Sequence, residues 1–499
     1  MATLTWDVGG ATGDSQVTGG TGTWDAFQDI WTEDGGASQS TFANGDSVIF
    51  GSGDGTVTVA NGIITSGITV EDDNDYVLTG GTLEVNGIIR ANPGQFGIPA
   101  ATLVIQSPLV GNGNITLQGE IQIEDTTNFN GSLTLGSGYI ILTSTVVYGN
   151  TLTVNTFSFE NSGQLLNVEL YGNGAFTNYG NTADISVLGG RTIYNEPGAH
   201  VNNANATAVY FDDGIDRANF FNLGTIDGNI VGGNTGQRFS NSGTLNGNID
   251  LGGGNDTLFA GGTINGDILL GDGDDSISGL AISSSATSVS LGRGNDTIAG
   301  ASYTGGTVFA GVGHDSISTN TGSYQDTISG GRGNDSISTF GLEDRLEGGL
   351  GADTLVGGTG DDVLVGGRGV DRIDGGDDAD RILGGADRDI STGGAGADVF
   401  VYRSLSEIPT SGKLEQITDF TQGEDVIQLS RIDADSVTGG NQAFTFVGAA
   451  AFSGTAGELR YEQSAAATFV QMDVDGDGNA DRMIRLDGVI NLTASDFIL

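Results

Sequence analysis

The chain has no cysteine in 499 residues, so neither disulfides nor thiolate metal sites can hold its fold. Basic residues are scarce: 17 Lys and Arg stand against 63 Asp and Glu, a formal charge of −46. That balance excludes nucleic acid and anionic membrane surfaces as expected partners, because phosphate binding requires clustered Lys and Arg. Cations are the natural counterpart. No run is long and apolar enough to span a bilayer. The first 89 residues contain no Lys or Arg, so the start lacks the charged n-region of a cleavable signal peptide. If the protein leaves the cell, its export address is expected elsewhere.

What the chain has in quantity is glycine, 88 residues against 5 prolines, in a sequence that is still 37% hydrophobic. There is no three-residue period, which argues against collagen, and regular Val, Ile, Leu and Phe argue against disorder. Many tight turns account for the glycine better. Short runs such as Gly55-Thr-Val-Thr-Val59, Ala101-Thr-Leu-Val-Ile105, Gly131-Ser-Leu-Thr-Leu135 and Thr151-Leu-Thr-Val154 alternate apolar residues with Thr or Ser between Gly and Asn, the pattern of strands. No convincing amphipathic helix precedes residue 400.

A period appears from residue 159. Phe-x-Asn-x-Gly occurs at Phe159/Asn161/Gly163, Phe176/Asn178/Gly180, Phe220/Asn222/Gly224 and Phe239/Asn241/Gly243, with a looser copy at Ile193/Asn195/Gly198. Successive starts lie 17, 17, 27 and 19 residues apart, which fits one solenoid coil per repeat with the aromatic inside and Asn and Gly at the turn. The 27-residue step is expected to carry a surface loop.

From residue 326 the rhythm becomes strict, with aspartates at 326, 335, 344, 353, 362, 371, 380, 389 and 398, nine residues apart. The best copies read Gly330-Gly-Arg-Gly-Asn-Asp335, Gly348-Gly-Leu-Gly-Ala-Asp353, Gly357-Gly-Thr-Gly-Asp-Asp362, Gly366-Gly-Arg-Gly-Val-Asp371 and Gly393-Gly-Ala-Gly-Ala-Asp398. An apolar residue usually follows two places later, as at Ile337, Leu355, Leu364, Ile373, Ile382 and Phe400. Two such units make an 18-residue coil. One column then holds Asp335, Asp353, Asp371 and Asp389, and the other Asp344, Asp362, Asp380 and Asp398. An earlier stretch of one column is expected at Asp256, Asp275, Asp296 and Asp315, spaced 19, 21 and 19 apart. From this spacing the solenoid is expected to run into the roll without a break.

Coils stack about 4.8 Å apart, and two bare carboxylates at that distance repel by about 3 kcal/mol at an effective dielectric near 20. A hard cation with six or more oxygen ligands neutralises the column, and Ca2+ suits a flexible carboxylate and carbonyl cage better than Mg2+. The aspartates Asp256, Asp275, Asp296, Asp315, Asp335, Asp353, Asp362, Asp371, Asp380, Asp389 and Asp398 are the candidate side-chain ligands. Gly331, Gly333, Gly349, Gly351, Gly358, Gly360, Gly367 and Gly369 are candidates through backbone carbonyls. Roughly eight to ten ions would be held if one sits between each adjacent pair of good turns. Three copies depart from the pattern: Thr339-Phe-Gly-Leu-Glu-Asp344, Gly375-Gly-Asp-Asp-Ala-Asp380 and Gly384-Gly-Ala-Asp-Arg-Asp389, the last with Ser391 in the apolar position.

These repeats resemble the repeats-in-toxin (RTX) family of type I secreted proteins over roughly residues 250 to 400. Beyond them, Gln416-Ile-Thr-Asp-Phe420, Gly423-Glu-Asp-Val-Ile-Gln-Leu429, Phe444-Thr-Phe-Val-Gly448 and Gly457-Glu-Leu-Arg-Tyr461 resemble the C-terminal domain of serralysin-type metalloproteases over 393–499. The resemblance implies that Ser495-Asp-Phe-Ile-Leu499 belongs to an uncleaved type I secretion signal, with the type I machinery as a partner. The protease does not carry over, since His200 and His314 are far apart and no His-Glu-x-x-His exists. No Gly-x-Ser-x-Gly elbow is present either. Asp473-Val-Asp-Gly-Asp-Gly478 matches the start of an EF-hand loop, but Ile484 stands where a Glu is needed, so a hairpin turn is the better reading. The N-terminal part resembles strand repeats of autotransporter passenger domains, with Trp6, Trp24 and Trp31 expected to cap the first coil rather than bind sugar.

The expectation is an all-β chain: a right-handed parallel β-solenoid running into a calcium-binding β-roll, with a small β-rich C-terminal domain. The regions are 1–60 (cap and first coils), 61–250 (solenoid without metal motif), 251–400 (roll) and 401–499 (serralysin-like domain). The expected role is a non-enzymatic, extracellular or cell-surface structural protein that self-assembles into a homo-oligomer or filament and folds on external calcium. The alternatives are a polysaccharide lyase or epimerase, for which Asp212, Asp213 and Arg217 are the candidate pair and partner, and a glycan-binding adhesin. A surface polysaccharide is therefore a further candidate partner.

Overall fold

The structure, a computed structural model, describes residues 3–6, 22–24, 31–32, 47–50, 55–60, 63–70, 75–91, 102–111, 114–124, 126, 128–129, 132–137, 139–142, 147–154, 158–162, 164–171, 174–189, 192–213, 218–279, 288–301, 306–319, 325–410 and 414–499. Strands and turns make up nearly all of it. Among the described residues the only helical elements are two 3-10 turns, Leu405–Glu407 and Ala494–Asp496. The chain is a parallel β-solenoid that divides into two compact units, Met1–Leu251 and Gly252–Leu499.

In the first unit each coil contributes a strand to each of two parallel ladders. Ser158–Asn161, Ala175–Asn178, Thr192–Asn195, Asn219–Asn222 and Arg238–Asn241 pair in register, so Phe159, Phe176, Ile193, Phe220 and Phe239 follow one another up the stack. Strict alternation along each strand sends these five inward, and all are buried. Phe159 and Phe176 stack with ring centroids 5.2 Å apart. Each such side chain contributes about 2 to 3 kcal/mol by leaving water. The opposite ladder aligns Val168, Ile185, Val209 and Ile230 behind them.

The 27-residue step differs from the expected simple loop. Part of its extra length lies inside the strand His200–Phe211, where the register jumps: Thr182 pairs with Val201, but Ile185 pairs with Val209. At the start of the chain Thr3–Trp6 pairs in parallel with Ser47–Phe50 and antiparallel with Trp31–Thr32, and Gly22–Trp24 joins Gly55–Val59. The capping role read for Trp6, Trp24 and Trp31 concerns side chains outside the described residues.

In the second unit the coils settle to 18 residues, with six-residue strands from Arg345 to Ala395 joined by tight turns. Leu346, Leu364, Ile382 and Phe400 align on one ladder, and Ile337, Leu355, Ile373 and Ser391 on the other. Ser391 is buried although polar, and it holds the place that Leu or Ile takes in earlier coils. The last coils receive Glu415–Ile417 and Val426–Gln428 as parallel strands. An antiparallel meander of Glu458–Gln463, Ala467–Asp473 and Arg482–Asp487 follows. The C-terminus returns to the sheet, with Phe497 paired to Ile427. Just before it, buried Asp496 accepts hydrogen bonds from the Thr493 and Gly423 N–H groups at 2.6 and 3.0 Å.

Candidate metal centre

Each repeat of the roll turns through glycines in left-handed backbone. Gly331 and Gly333 have φ of 101° and 127°, and the same pair recurs at Gly349/Gly351, Gly358/Gly360 and Gly367/Gly369, all at positive φ. A Cβ at Gly331 or Gly333 would also strike the carbonyl oxygen of Gly311 or Gly313 in the neighbouring coil, so both conformation and space require glycine. Two of the divergent turns, beginning at Gly375 and Gly384, keep this geometry, whereas the turn beginning at Thr339 has Phe340 in second place and takes positive φ at Gly341 and Leu342. Leu342, Asp378 and Asp387 stand at the fourth position of their turns with φ of 61°, 78° and 81°. Asp tolerates that region better than Leu, which pays about 1 to 2 kcal/mol there.

The aspartates that close these turns form two buried columns. In the first, the N–H of Asp256 donates to Oδ1 of Asp275 at 2.7 Å, and the pattern repeats through Asp296, Asp315, Asp335, Asp353 and Asp371 to Asp389, each bond 2.8 or 2.9 Å. In the second, Asp326, Asp344, Asp362, Asp380 and Asp398 are linked in the same sense at 2.7 to 2.9 Å. The chain thus uses one carboxylate oxygen per rung to satisfy the backbone of the preceding coil. The other oxygen, Oδ2, is buried and without a hydrogen-bond donor in Asp275, Asp296, Asp315, Asp335, Asp344, Asp353, Asp362, Asp371, Asp380, Asp389 and Asp398.

Two further acids extend the columns past the repeats. Asp389 N–H donates to Glu415 Oε1 at 3.2 Å, and Asp398 N–H to Asp425 Oδ1 at 3.0 Å. The nine-residue count misses both, because they follow insertions that put them 26 and 27 residues beyond their partners. Only their acidic character and the apolar residues Ile417 and Ile427 two places on hint at the role. Asp326 and Asp344 likewise join the ladder at the start of the second column.

The first glycine of each turn leaves room beside the unpartnered oxygen. A Cβ placed on Gly330 would stand 2.5 Å from Asp335 Oδ2 and 2.7 Å from the Gly348 carbonyl oxygen of the next coil. Gly348, Gly357, Gly366 and Gly375 repeat the arrangement with Asp353, Asp362, Asp371 and Asp380. A cradle of carboxylate and carbonyl oxygens therefore recurs along each column. The carbonyl that borders this space with the carboxylate is that of a first-position glycine, a position the sequence reading did not select.

Burial pushes these acids far above the ordinary aspartate range. It lifts Asp362 and Asp389 to about 8, opposed by the N–H bond each accepts and reinforced by neighbouring carboxylates. Asp275, Asp326, Asp371 and Asp380 rise to about 7, and Asp296, Asp315, Asp353 and Asp398 to about 6, again chiefly through burial. Asp335 and Asp344 shift the same way. Glu415 reaches about 9, from burial and then from the charge of Asp389. At neutral pH such a stack must take up either protons or cations. An all-oxygen set of buried carboxylates and carbonyls suits a hard divalent cation.

The other candidates resolve differently. His314 is a rung of an outer turn ladder: its Nδ1 accepts from Asn334 N–H at 2.7 Å. His200 pairs with Asp227 at 2.7 Å. Asp212 and Asp213 end the His200–Phe211 strand, whereas Arg217 lies outside the described residues. The segment Asp473–Gly478 turns a hairpin between Ala467–Asp473 and Arg482–Asp487. It gathers Asp473, Asp475 and Asp481, with ligand oxygens within 4.8 Å of one another. Backbone N–H groups of Gly476 and Gly478 occupy both oxygens of Asp473.

Residues 287–499 match a family model described as Peptidase M10 serralysin C terminal. The match spans the coils from Ser288–Arg293 onward and the whole region after the repeats. No curated protein matches the chain.

Proposed function

We propose, from a C-terminal part that is a serralysin-type β-roll, that this chain is a secreted structural protein of the cell exterior whose roll folds on calcium. The observation that carries the proposal is the pair of columns in which the repeat aspartates from Asp275 to Asp398 each keep one buried carboxylate oxygen without a donor. Calcium would be held by the Oδ2 atoms of successive aspartates and by turn carbonyls such as those of Gly348 and Gly366. When bound it supplies positive charge that cancels the repulsion along the column. The chain's own part is to fix the turns through glycine and to space the carboxylates by whole coils.

Such a fold couples export to calcium. At low calcium the acidic stack does not close and the roll stays unfolded; outside the cell it binds ions and folds. The resemblance of 393–499 to a secreted family supports exit by a type I route. A long repetitive scaffold supports a structural role over catalysis, and a strand edge left unpaired at the end of a solenoid would offer a way to self-assemble.

Circular dichroism with a calcium titration tests the metal dependence: β signal should grow with calcium and fall with a chelator. Negative-stain microscopy of the calcium-loaded protein tests assembly. Filaments or a lattice would sustain the structural role, and monodisperse single particles would count against it.

A further inference from the structure

Five of the 17 basic side chains of this acidic chain line a single groove of about 540 Å³ in the second unit: Arg345, Arg368, Arg381, Arg403 and Arg431. The groove lies on the outer face of the roll. Its floor comes from register, since Arg345, Val363 and Arg381 align on three successive coils and Glu347, Val365 and Leu383 align beside them. The segment carrying the Leu405–Glu407 turn forms a wall. Leu383 is only 7% exposed although it alternates with the inward Ile382, so this face is a partly roofed channel.

The charges in the groove do not cancel. Glu407 is engaged by Arg403, with Arg403 Nε donating at 3.1 Å and Arg403 N–H at 2.6 Å. Glu347 lies 3.9 Å from Arg345, a loose exposed pair. Arg381 donates to the neutral Gln428 at 3.1 Å. Among the described residues Arg368 and Arg431 have no side-chain partner. Five guanidinium groups therefore face two carboxylates in a protein whose net charge is −46.

We propose that this groove binds an acidic polysaccharide through its uronate carboxylates. Guanidinium groups recognise carboxylates with two parallel hydrogen bonds, which a diffuse positive patch does not provide. Arg345 and Arg381 stand two coils apart, about 10 Å, the scale of a disaccharide. On the coil between them Val363 and Val365 offer a half-buried apolar strip for the C–H faces of sugar rings. Among the described residues no aromatic side chain lines the groove, which gives no stacking platform for nucleobases. The proposal deepens the reading of an exterior protein, but it rests on the groove and not on the carboxylate columns.

The test is isothermal titration of the calcium-saturated full chain with a hexuronate too short to gel, a neutral hexasaccharide and hexaglutamate, at one calcium concentration. Hexuronate is expected to bind, more weakly as salt rises, and the neutral sugar not to bind. Replacing both Arg368→Gln and Arg431→Gln should weaken hexuronate at least ten-fold while the circular dichroism and the calcium midpoint stay unchanged. That control separates failure of the groove from failure of the roll. Absence of hexuronate binding would overturn the assignment, as would undiminished binding by the double variant, the signature of a calcium bridge. Tighter binding of hexaglutamate would overturn it in favour of an acidic peptide partner.

Discussion

The two units meet the same problem at the corners of their coils with side chains of nearly the same shape. In the first unit Asn161, Asn178, Asn195, Asn222 and Asn241 stack in the interior, each Nδ2 donating to the Oδ1 of the next at 2.7 to 2.9 Å. An amide both donates and accepts, so that column satisfies itself with no outside help. In the second unit the corner is an aspartate. Its carboxylate only accepts: one oxygen takes a backbone N–H and the other has nothing left to bind within the protein. Exchanging NH2 for O turns a self-sufficient ladder into one that depends on what the solvent contains.

Removal of calcium should break the comparison most visibly. Hydrogen exchange on the full chain with chelator should show lost protection across 326–399 and retained protection across 159–241. Equal loss in both regions would mean that the amide column is no more autonomous than the carboxylate one. The effect spans the whole roll, so exchange rates there should rise by orders of magnitude.

Acid should partly replace the metal. The roll aspartates titrate at about 6 to 8 in the folded, ion-free stack, against roughly 4 in an unfolded chain. A carboxyl raised on folding contributes stability that is full below the unfolded value and is lost as pH rises through the folded one. Calcium-free protein should therefore gain β signal near pH 4 and lose it between about pH 6 and 8, while the asparagine region stays level. Because protons and cations compete for the same oxygens, the calcium midpoint should fall as pH rises through that window.

Exchanging the corner residues sharpens the point. Asn195→Asp removes the donor to Asn222 and Thr225 and leaves a buried charge, which should destabilise the first unit by about 3 kcal/mol or more. Asp353→Asn keeps the acceptor for Asp335 N–H and sets an amide donor beside the Gly366 carbonyl. It should raise the calcium midpoint while stabilising the chelated roll by about 1 kcal/mol. Thermal melts with and without calcium read both. The smallest effect concerns one turn: Leu342→Gly relieves left-handed strain at an exposed site and should stabilise the loaded protein by up to about 1 kcal/mol in a denaturant titration.

The repeats themselves were legible because stacking is a strict counting problem. A residue that must sit above its counterpart recurs at the coil length, which made the inward Phe positions and both aspartate columns readable from spacing alone, whereas the repeat Asn, read as a turn residue, is buried in the stack. What spacing hid were rungs displaced by insertions. Glu415 and Asp425 continue the columns, but the extra residues before them reset the count. The His200–Phe211 strand hides length in another way, by a register jump within a continuous strand. The arginine groove was overlooked because overall charge says nothing about local gathering. Arg345 and Arg381 lie two coil lengths apart and so share a face, yet Arg403 and Arg431 reach it only through the irregular segment after the repeats.

The pairing offset in the roll has a consequence for how such a chain can change length. Thr354 pairs with Arg372, and Val363 with Arg381, so each position finds its counterpart 18 residues on. Excising or duplicating one such module leaves every surviving junction matched, and the product is a shorter or longer version of the same architecture. Excising half a module transfers each downstream strand to the other wall, taking the outward arginines with it. Gain and loss in whole modules is thus the neutral currency of this sequence, and half-steps are the mutations its geometry forbids.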